Sequence, residues 1–208
     1  MRIAMIGAGQ VGRALGGGWT KAGHQLQYGL QDPAGPSYRD IAAGQRATLP
    51  AAAAAADAVV LAIPWPAAEA AIRELGSLAG KIVIDCMNPL TTTGGGLGLA
   101  LGYETSGAER VALWAKGAAV FKALNQTGAE NMANAAAFPS KPAMFVAGDD
   151  EGRKPAVMGL VRDLGFEAID AGPLRNARLL EPLAMLWIDQ ALNRGRGLDF
   201  AFALVHRS

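Results

Sequence analysis

Six residues near the amino terminus, Gly7-Ala8-Gly9-Gln10-Val11-Gly12, constrain the fold more than any other stretch of the chain. They follow Arg2 to Ile6, a short apolar run that reads as a buried strand, and lead into Gln10 to Ala22, whose apolar spacing is helical. A strand, a GxGxxG turn and a helix make the first unit of a dinucleotide-binding fold. Each glycine has its own task there. Gly7 permits the tight turn, Gly9 lets the backbone approach a pyrophosphate, and Gly12 lets helix and strand pack closely. The anion is met by unpaired amides at the positive end of the helix.

The rest of the sequence repeats this alternation. Gln25 to Tyr28 reads as a second strand, followed by a turn cluster from Gln31 to Pro36. Ala51 to Ala56 reads as an alanine helix, Ala58 to Ile63 as a strand, Pro66 to Leu75 as a helix, and Ile82 to Asp85 as a strand. Near-continuous apolar strands separated by helices predict an α/β protein with a doubly wound, mostly parallel sheet covered on both faces. Residues 91–107, with Gly94-Gly95-Gly96, read as a mobile loop, either a surface connection or a lid. Beyond it, Ala119 to Ala123, Met144 to Ala147 and Glu167 to Asp170 read as strands. One helix is expected from Glu151 to about Leu164, capped by Asp149 or Asp150. Another is expected from Asn176 to Leu192, with Pro182 kinking or restarting it.

Composition removes other classes. The chain has 208 residues, 51% of them apolar and 18% charged, enough for a large core and too few for a long second substrate domain. Nineteen Lys and Arg against 18 Asp and Glu leave a net charge of +1, so there is no basic field for nucleic acid and no polybasic membrane anchor. The apolar runs fall far short of the ~20 residues a membrane helix needs. A lone cysteine, Cys86, excludes an intramolecular disulfide and a multi-cysteine zinc site. With only His24 and His206 beside it, no metal is expected. Met1 is followed at once by the first strand rather than by a signal sequence, and a cytoplasmic location is expected.

In open parallel sheets ligands bind at the carboxyl ends of the strands. The second strand ends in Gly29-Leu30-Gln31-Asp32-Pro33. An acid there would bond a ribose hydroxyl of NAD, and a cation would take the 2′-phosphate of NADP. Asp32 lies about 20 residues past Gly12, as an NAD-type acid should, yet it precedes proline, where an Asx turn is the favoured explanation. Gln31 suits either cofactor. Ile63-Pro64-Trp65 closes the strand that begins at Ala58, and Trp65 reads as packing or as site. In Asp85-Cys86-Met87-Asn88-Pro89, Asn88 either bonds a ribose or carboxamide or shapes the turn, while Cys86 reads as an inert core residue. In Lys122-Ala123-Leu124-Asn125-Gln126-Thr127, Asn125 and Thr127 either face the nicotinamide or cap the next helix. His24 reads as a complement to the dipole of the first helix.

With these residues in view, the chain resembles the NADP oxidoreductases dependent on coenzyme F420, a deazaflavin, whose fold also supplies the cytosolic domain of STEAP metalloreductases. The resemblance covers nearly the whole chain. It rests on Gly7 to Gly12, on Ile63-Pro64-Trp65, on Val146-Ala147-Gly148-Asp149-Asp150-Glu151, and most specifically on Asp170-Ala171-Gly172-Pro173-Leu174-Arg175-Asn176-Ala177-Arg178-Leu179-Leu180-Glu181. It implies a Rossmann dinucleotide-binding domain over residues 1–140 and a small C-terminal α/β part over residues 141–208 that completes the cleft. Gly7, Ala8, Gly9, Gln10, Val11 and Gly12 would hold the pyrophosphate, with Leu30 and Gln31 at the adenosine end. Ile63 and Pro64 would border the adenosine-to-ribose path, and Asn88, Pro89, Leu124 and Asn125 the nicotinamide side. Two positions depart from the family: Gln31 stands where an arginine is common, and Leu124 to Thr127 replace a histidine-containing strand end.

The resemblance implies hydride transfer between a nicotinamide cofactor, NADP with NAD as the alternative, and a flavin-like or deazaflavin acceptor. Such transfer needs aligned rings and excluded water more than an acid or base, and no catalytic residue stands out. Two other readings remain open: a small imine or hydroxy-acid reductase, for which Lys122 is the obvious proton donor, and a non-enzymatic NADP(H)-binding redox sensor. The apolar stretch from Asp199 to Val205 reads as a buried final strand or part of a homodimer contact.

Overall fold

The computed structural model describes residues 1–207. Strand β1 (Arg2–Ile6) is followed by helix α1 (Gln10–Lys21), strands β2 (Gln25–Leu30) and β3 (Arg46–Thr48), helix α2 (Leu49–Ala55) and strand β4 (Ala58–Leu61). Helix α3 (Ala68–Glu74) and strand β5 (Ile82–Asp85) come next, then a hairpin of β6 (Leu90–Thr93) and β7 (Gly96–Leu99). The chain continues through α4 (Gly107–Trp114), β8 (Ala119–Lys122), α5 (Ala129–Ala133), β9 (Ala143–Gly148), α6 (Lys154–Asp163), β10 (Glu167–Asp170) and α7 (Ala177–Leu192).

Eight strands form one sheet in the order β3-β2-β1-β4-β5-β8-β9-β10, parallel throughout except where β9 runs against β8. This is the expected α/β Rossmann-type doubly wound sheet. The chain leaves β1 toward β2 and β3 and then crosses back to β4, so the strand order reverses between β1 and β4. A crevice at the carboxyl ends of those two strands follows from that reversal.

Strand β1 explains the layering. Ile3 and Met5 pack with Leu15, Trp19, Tyr28 and Phe121 on one face, while Ala4 and Ile6 pack with Ala52, Val59 and Leu61 on the other. Both faces are apolar, so the strand reads as a continuous apolar run rather than an alternating one. The indole Nε1 of Trp19 donates to the Leu160 carbonyl at 2.8 Å, tying α1 to α6 on one face of the sheet that β9 and β10 extend.

Several local expectations are corrected. The loop expected over residues 91–107 holds the β6–β7 hairpin, with Gly94-Gly95 as a two-residue turn between Thr93 and Gly96. Helix α4 opens there too, since Ser106 Oγ accepts from the Glu109 amide at 3.2 Å in a capping box that was legible in the sequence. Helix α6 starts at Lys154 rather than Glu151, because Asp150 closes a separate turn by accepting the Arg153 amide at 2.9 Å. Asp149 instead accepts the Leu174 amide at 2.9 Å, so neither aspartate caps α6. Helix α7 runs unbroken through Pro182 rather than restarting. The Asp199–Val205 stretch forms no strand: Phe202 accepts one bond from the Ala143 amide at 2.8 Å, Phe200 stacks on Trp187, and Val205 is 92% exposed.

Candidate active site

Three glycines give the first turn its shape. Gly7 has φ of 105°, a left-handed conformation, and a Cβ there would run into the Ala62 carbonyl and, at 2.8 Å, the Ile63 side chain. A Cβ at Gly12 would run into the Gly7 carbonyl, so this position fixes how closely α1 packs on β1. Gly9 is different. Its φ of −75° and ψ of −171° suit any residue, and a Cβ there would meet nothing within 4 Å. Gly9 is exposed, and α1 begins at Gln10 with no side chain capping it among the described residues. The first-turn amides have no partner within the helix, and the side of Gly9 where a side chain would stand is open.

The other sequence-predicted residues lie along the same edge, because β2, β1, β4, β5 and β8 all run parallel. In sheet order they are Leu30 and Gln31, then Gly7 to Gly12, then Ile63 and Pro64, then Asn88 and Pro89, then Leu124 and Asn125. Four strand spacings of ~4.8 Å make this line about 19 Å long. Leu30 is buried and Gln31 exposed. Asp32 is held locally: its Oδ1 accepts the Ala34 amide at 3.2 Å and its carbonyl the Gly35 amide at 3.0 Å, an Asx turn. Trp65 packs on Trp114 with ring centroids 5.5 Å apart.

Asn88 and Asn125 are brought into direct contact. Asn88 Nδ2 donates to the Asn125 carbonyl at 2.9 Å, and Asn125 Nδ2 donates to Asn88 Oδ1 at 2.9 Å and to the Leu180 carbonyl at 3.2 Å. Gln126 continues the ladder, donating to Asn125 Oδ1 at 2.8 Å and exchanging bonds with the backbone of Phe145. Asn88 Nδ2 donates a single hydrogen bond among the described residues, so one of its amide hydrogens is unused there. The capping role considered for Asn125 and Thr127 is not taken up, since α5 starts after Gly128 without a side-chain cap and Thr127 Oγ1 accepts from Asn131 Nδ2 at 2.8 Å. Leu124, fully buried, holds φ of 58°, a conformation that costs a bulky residue about 1–3 kcal/mol. The packed strand ends hold it there.

The sequence named Lys122 as a proton donor, and the structure places it out of reach of any substrate. Its Nζ lies 3.0 Å from Asp85 Oδ2, 2.9 Å from Glu181 Oε1 and 2.5 Å from the Met87 carbonyl, with no exposed surface. Burial alone would lower its pKa; the charges of Asp85 and Glu181 and their hydrogen bonds outweigh that and raise it. Glu181 also accepts the Gly107 amide at 3.0 Å and the Ala108 amide at 3.2 Å, at the start of α4. Sequence reading missed this network, because the partners of its bonds lie 35 or more positions apart. Burial, reinforced by the nearby Asp85 charge, pushes the Cys86 thiol pKa up, in keeping with an inert core residue. Among the described residues no group of three or more His, Cys, Asp or Glu is placed to hold a metal ion. No helix among them is long and apolar enough to cross a membrane.

A cleft of ≈ 960 Å³ lies between the end of β7 with the segment after it and the start of α7. Leu99, Leu101, Leu179 and Pro182 give it apolar walls, and Arg175 and Arg178 stand among its lining. The Ala100 amide donates to the Pro89 carbonyl at 2.7 Å, which anchors the cleft to the end of β5.

The family described as NADP oxidoreductase, coenzyme F420-dependent, matches residues 2–89. The F420-dependent NADP reductase of Methanothermobacter thermautotrophicus is 30% identical over 206 residues, spanning 91% of this chain and 88% of that protein. A solved protein of Arthrobacter sp. FB24, named for a proposed F420-dependent NADP-reductase activity, superimposes with a TM-score of 0.90 at 30% identity, over 99% of this chain and 100% of that one. An imine reductase of Aspergillus terreus shares the fold at 21% identity and a TM-score of 0.69, over 93% of this chain and 63% of that enzyme. With the glycine turn at the strand-order reversal and a relative aligned along nine-tenths of its length, the chain belongs to the F420-dependent NADP oxidoreductase family.

Proposed function

We propose that the protein transfers hydride between NADP(H) and a planar flavin-like acceptor, a deazaflavin in the first place. The observation that carries this reading is the open space at Gly9, framed by two glycine positions that tolerate no side chain. In this reading the amides from Gly9 to Val11 bind the pyrophosphate, Leu30 and Gln31 border the adenosine ribose, and Ile63 and Pro64 line the path between. The free amide hydrogen of Asn88, with Pro89 and the backbone of Leu124 and Asn125, orients the carboxamide end. The bound nicotinamide supplies the hydride chemistry. The chain supplies alignment and exclusion of water, which such a transfer chiefly requires.

The acceptor ring enters the cleft between Leu99, Leu101, Leu179 and Pro182, and the guanidinium group of Arg175 suits an anionic tail, Arg178 being paired with Glu109. In this division residues 1–140 bind the dinucleotide and residues 141–208 complete the cleft through α7. NAD(H) serves as a weaker alternative donor, and flavins as alternative acceptors. The exposed Leu186, Leu192, Leu198 and Leu204 support a homodimer, and the single buried cysteine suits the cytoplasm. Steady-state oxidation of NADPH with a deazaflavin and with free flavins tests the reading. Turnover with the deazaflavin supports it; tight NADPH binding without turnover on any of these acceptors would favour a redox sensor instead.

A further inference from the structure

The end of β2 lacks the cation common in the family, yet two arginines converge on the loop that follows it. Arg46, at the start of β3, sits in register with Tyr28, and its Nη1 donates to the Pro33 carbonyl at 3.2 Å. That neutral carbonyl is its sole hydrogen-bond acceptor among the described residues, and it takes part in no ion pair among them. Its Nε is buried without any partner. A guanidinium with an orphaned N–H and no counter-ion is costly to leave unanswered. Such a group is suited to an arriving anion.

Arg13 reaches the same loop from α1. On α1, its Nε donates to the Ala8 carbonyl at 2.7 Å and its Nη2 to the Ser37 carbonyl at 3.3 Å, while Nη1 pairs with the exposed Asp40. Its charge also reaches the Tyr28 hydroxyl, so both arginines flank the same residue of β2. The opposing charges are Asp32, engaged by the Ala34 amide, and Asp40, engaged by Arg13. Arg39, which is exposed, adds a third cation to the loop. The local balance is positive, three arginines against two aspartates, beside the strand end where a dinucleotide places its adenosine ribose.

We propose that Arg46, with Arg13 as the second cation, binds the 2′-phosphate of NADP(H) in this chain, in place of an arginine at position 31. The proposal rests on the dinucleotide reading above. The phosphate dianion replaces the Pro33 carbonyl as the partner of the Arg46 guanidinium, exchanging a neutral bond for charge-assisted ones.

Calorimetric titration of the full chain with NADPH, NADH, 2′,5′-ADP and 5′-AMP tests it, using wild type, Arg46→Gln, Arg46→Lys and Arg13→Gln. Arg46→Gln is expected to weaken NADPH and 2′,5′-ADP by roughly tenfold to a hundredfold, the worth of a charged hydrogen bond. NADH and 5′-AMP should stay within about twofold, which also reports that the variant is folded. Arg46→Lys should fall between, keeping the charge but not the fork, and Arg13→Gln should weaken the two ligands with a 2′-phosphate more than the two without it. Equal weakening of NADPH and NADH by Arg46→Gln would overturn the proposal, because it would mean that Arg46 only holds Pro33 in place. So would unchanged affinity for all four ligands, or a wild type that binds NADPH no tighter than NADH. A wild type that binds neither dinucleotide would overturn the underlying reading along with it.

Discussion

Lys122 on β8 and Glu181 on α7 form an ion pair of 2.9 Å with almost no exposed surface on either side chain. The pair joins the strand end beside Asn125 to the helix that walls the cleft, and Asp85 completes it from β5 at 3.0 Å. Removing the cation leaves two buried carboxylates unpaired, and breaking a buried pair in this way costs about 3–5 kcal/mol. Lys122→Met should therefore lower unfolding stability by that amount in urea titrations, with a smaller loss for Glu181→Gln. Because the lysine pKa is raised in the folded chain, its contribution is complete at neutral pH. It is lost only as alkaline pH climbs through the raised value. A Lys122→Met variant as stable as wild type would show that the pair is dispensable.

The glycine turn predicts opposite outcomes for two similar substitutions. Gly9→Val fits the backbone and meets no neighbour, so melting temperature should hardly move while NADPH binding weakens by roughly tenfold or more, with the pyrophosphate kept from the amides. Gly12→Val forces a side chain into the Gly7 carbonyl, so overpacking of about 1–3 kcal/mol should appear first as lost stability. Thermal melts and NADPH titrations of the two variants, run side by side, separate these effects.

At the adenosine end, Gln31→Arg adds a cation beside the proposed phosphate position. NADPH affinity should rise by about 1.5–3 kcal/mol, one charged hydrogen bond, with little change for NADH. Asp32→Ala should not convert cofactor preference, since its carboxylate is spent on the Ala34 amide. A strong wild-type preference for NADH, lost in Asp32→Ala, would reverse this assignment.

Acid should loosen the contact between α4 and α7. Hydrogen bonds from Arg178 hold the Glu109 carboxyl below its usual value of 4.5, so the unfolded chain takes up that proton first as pH falls. The contribution is full above the usual value and lost below it. Both side chains are partly exposed, which limits it to at most ~1 kcal/mol. Between pH 5 and 3, on the order of the relevant carboxylate range, Glu109→Gln should lose stability less steeply than wild type.

What the sequence reveals here follows from how far apart the cooperating residues lie. The alternation of apolar strands and helices from Arg2 to Asp85 was legible because each element declares itself within a few residues. The GxGxxG turn was equally local. Strand β3 escaped because Arg46–Thr48 is only three residues long and lies at the sheet edge, and the hairpin escaped because a glycine-rich turn resembles a loop when Leu90–Thr93 is not read as its partner. The Asn88–Asn125 ladder was legible only as two separate polar strand ends. Lys122 looked like chemistry because nothing near it in sequence announces Glu181, 59 positions later, as its partner.

In the proposed reaction hydride passes directly from NADPH to a deazaflavin ring aligned against it. Its most direct test is a turnover with NADPH deuterated at the transferring C4 position, followed by mass spectrometry of the reduced deazaflavin, whose accepting carbon keeps the label. The account predicts one deuterium in the product, and loss of that product in Gly9→Val at NADPH concentrations that saturate wild type. A reduced deazaflavin carrying hydrogen from solvent, or no reduction by a wild type that binds NADPH tightly, would contradict it.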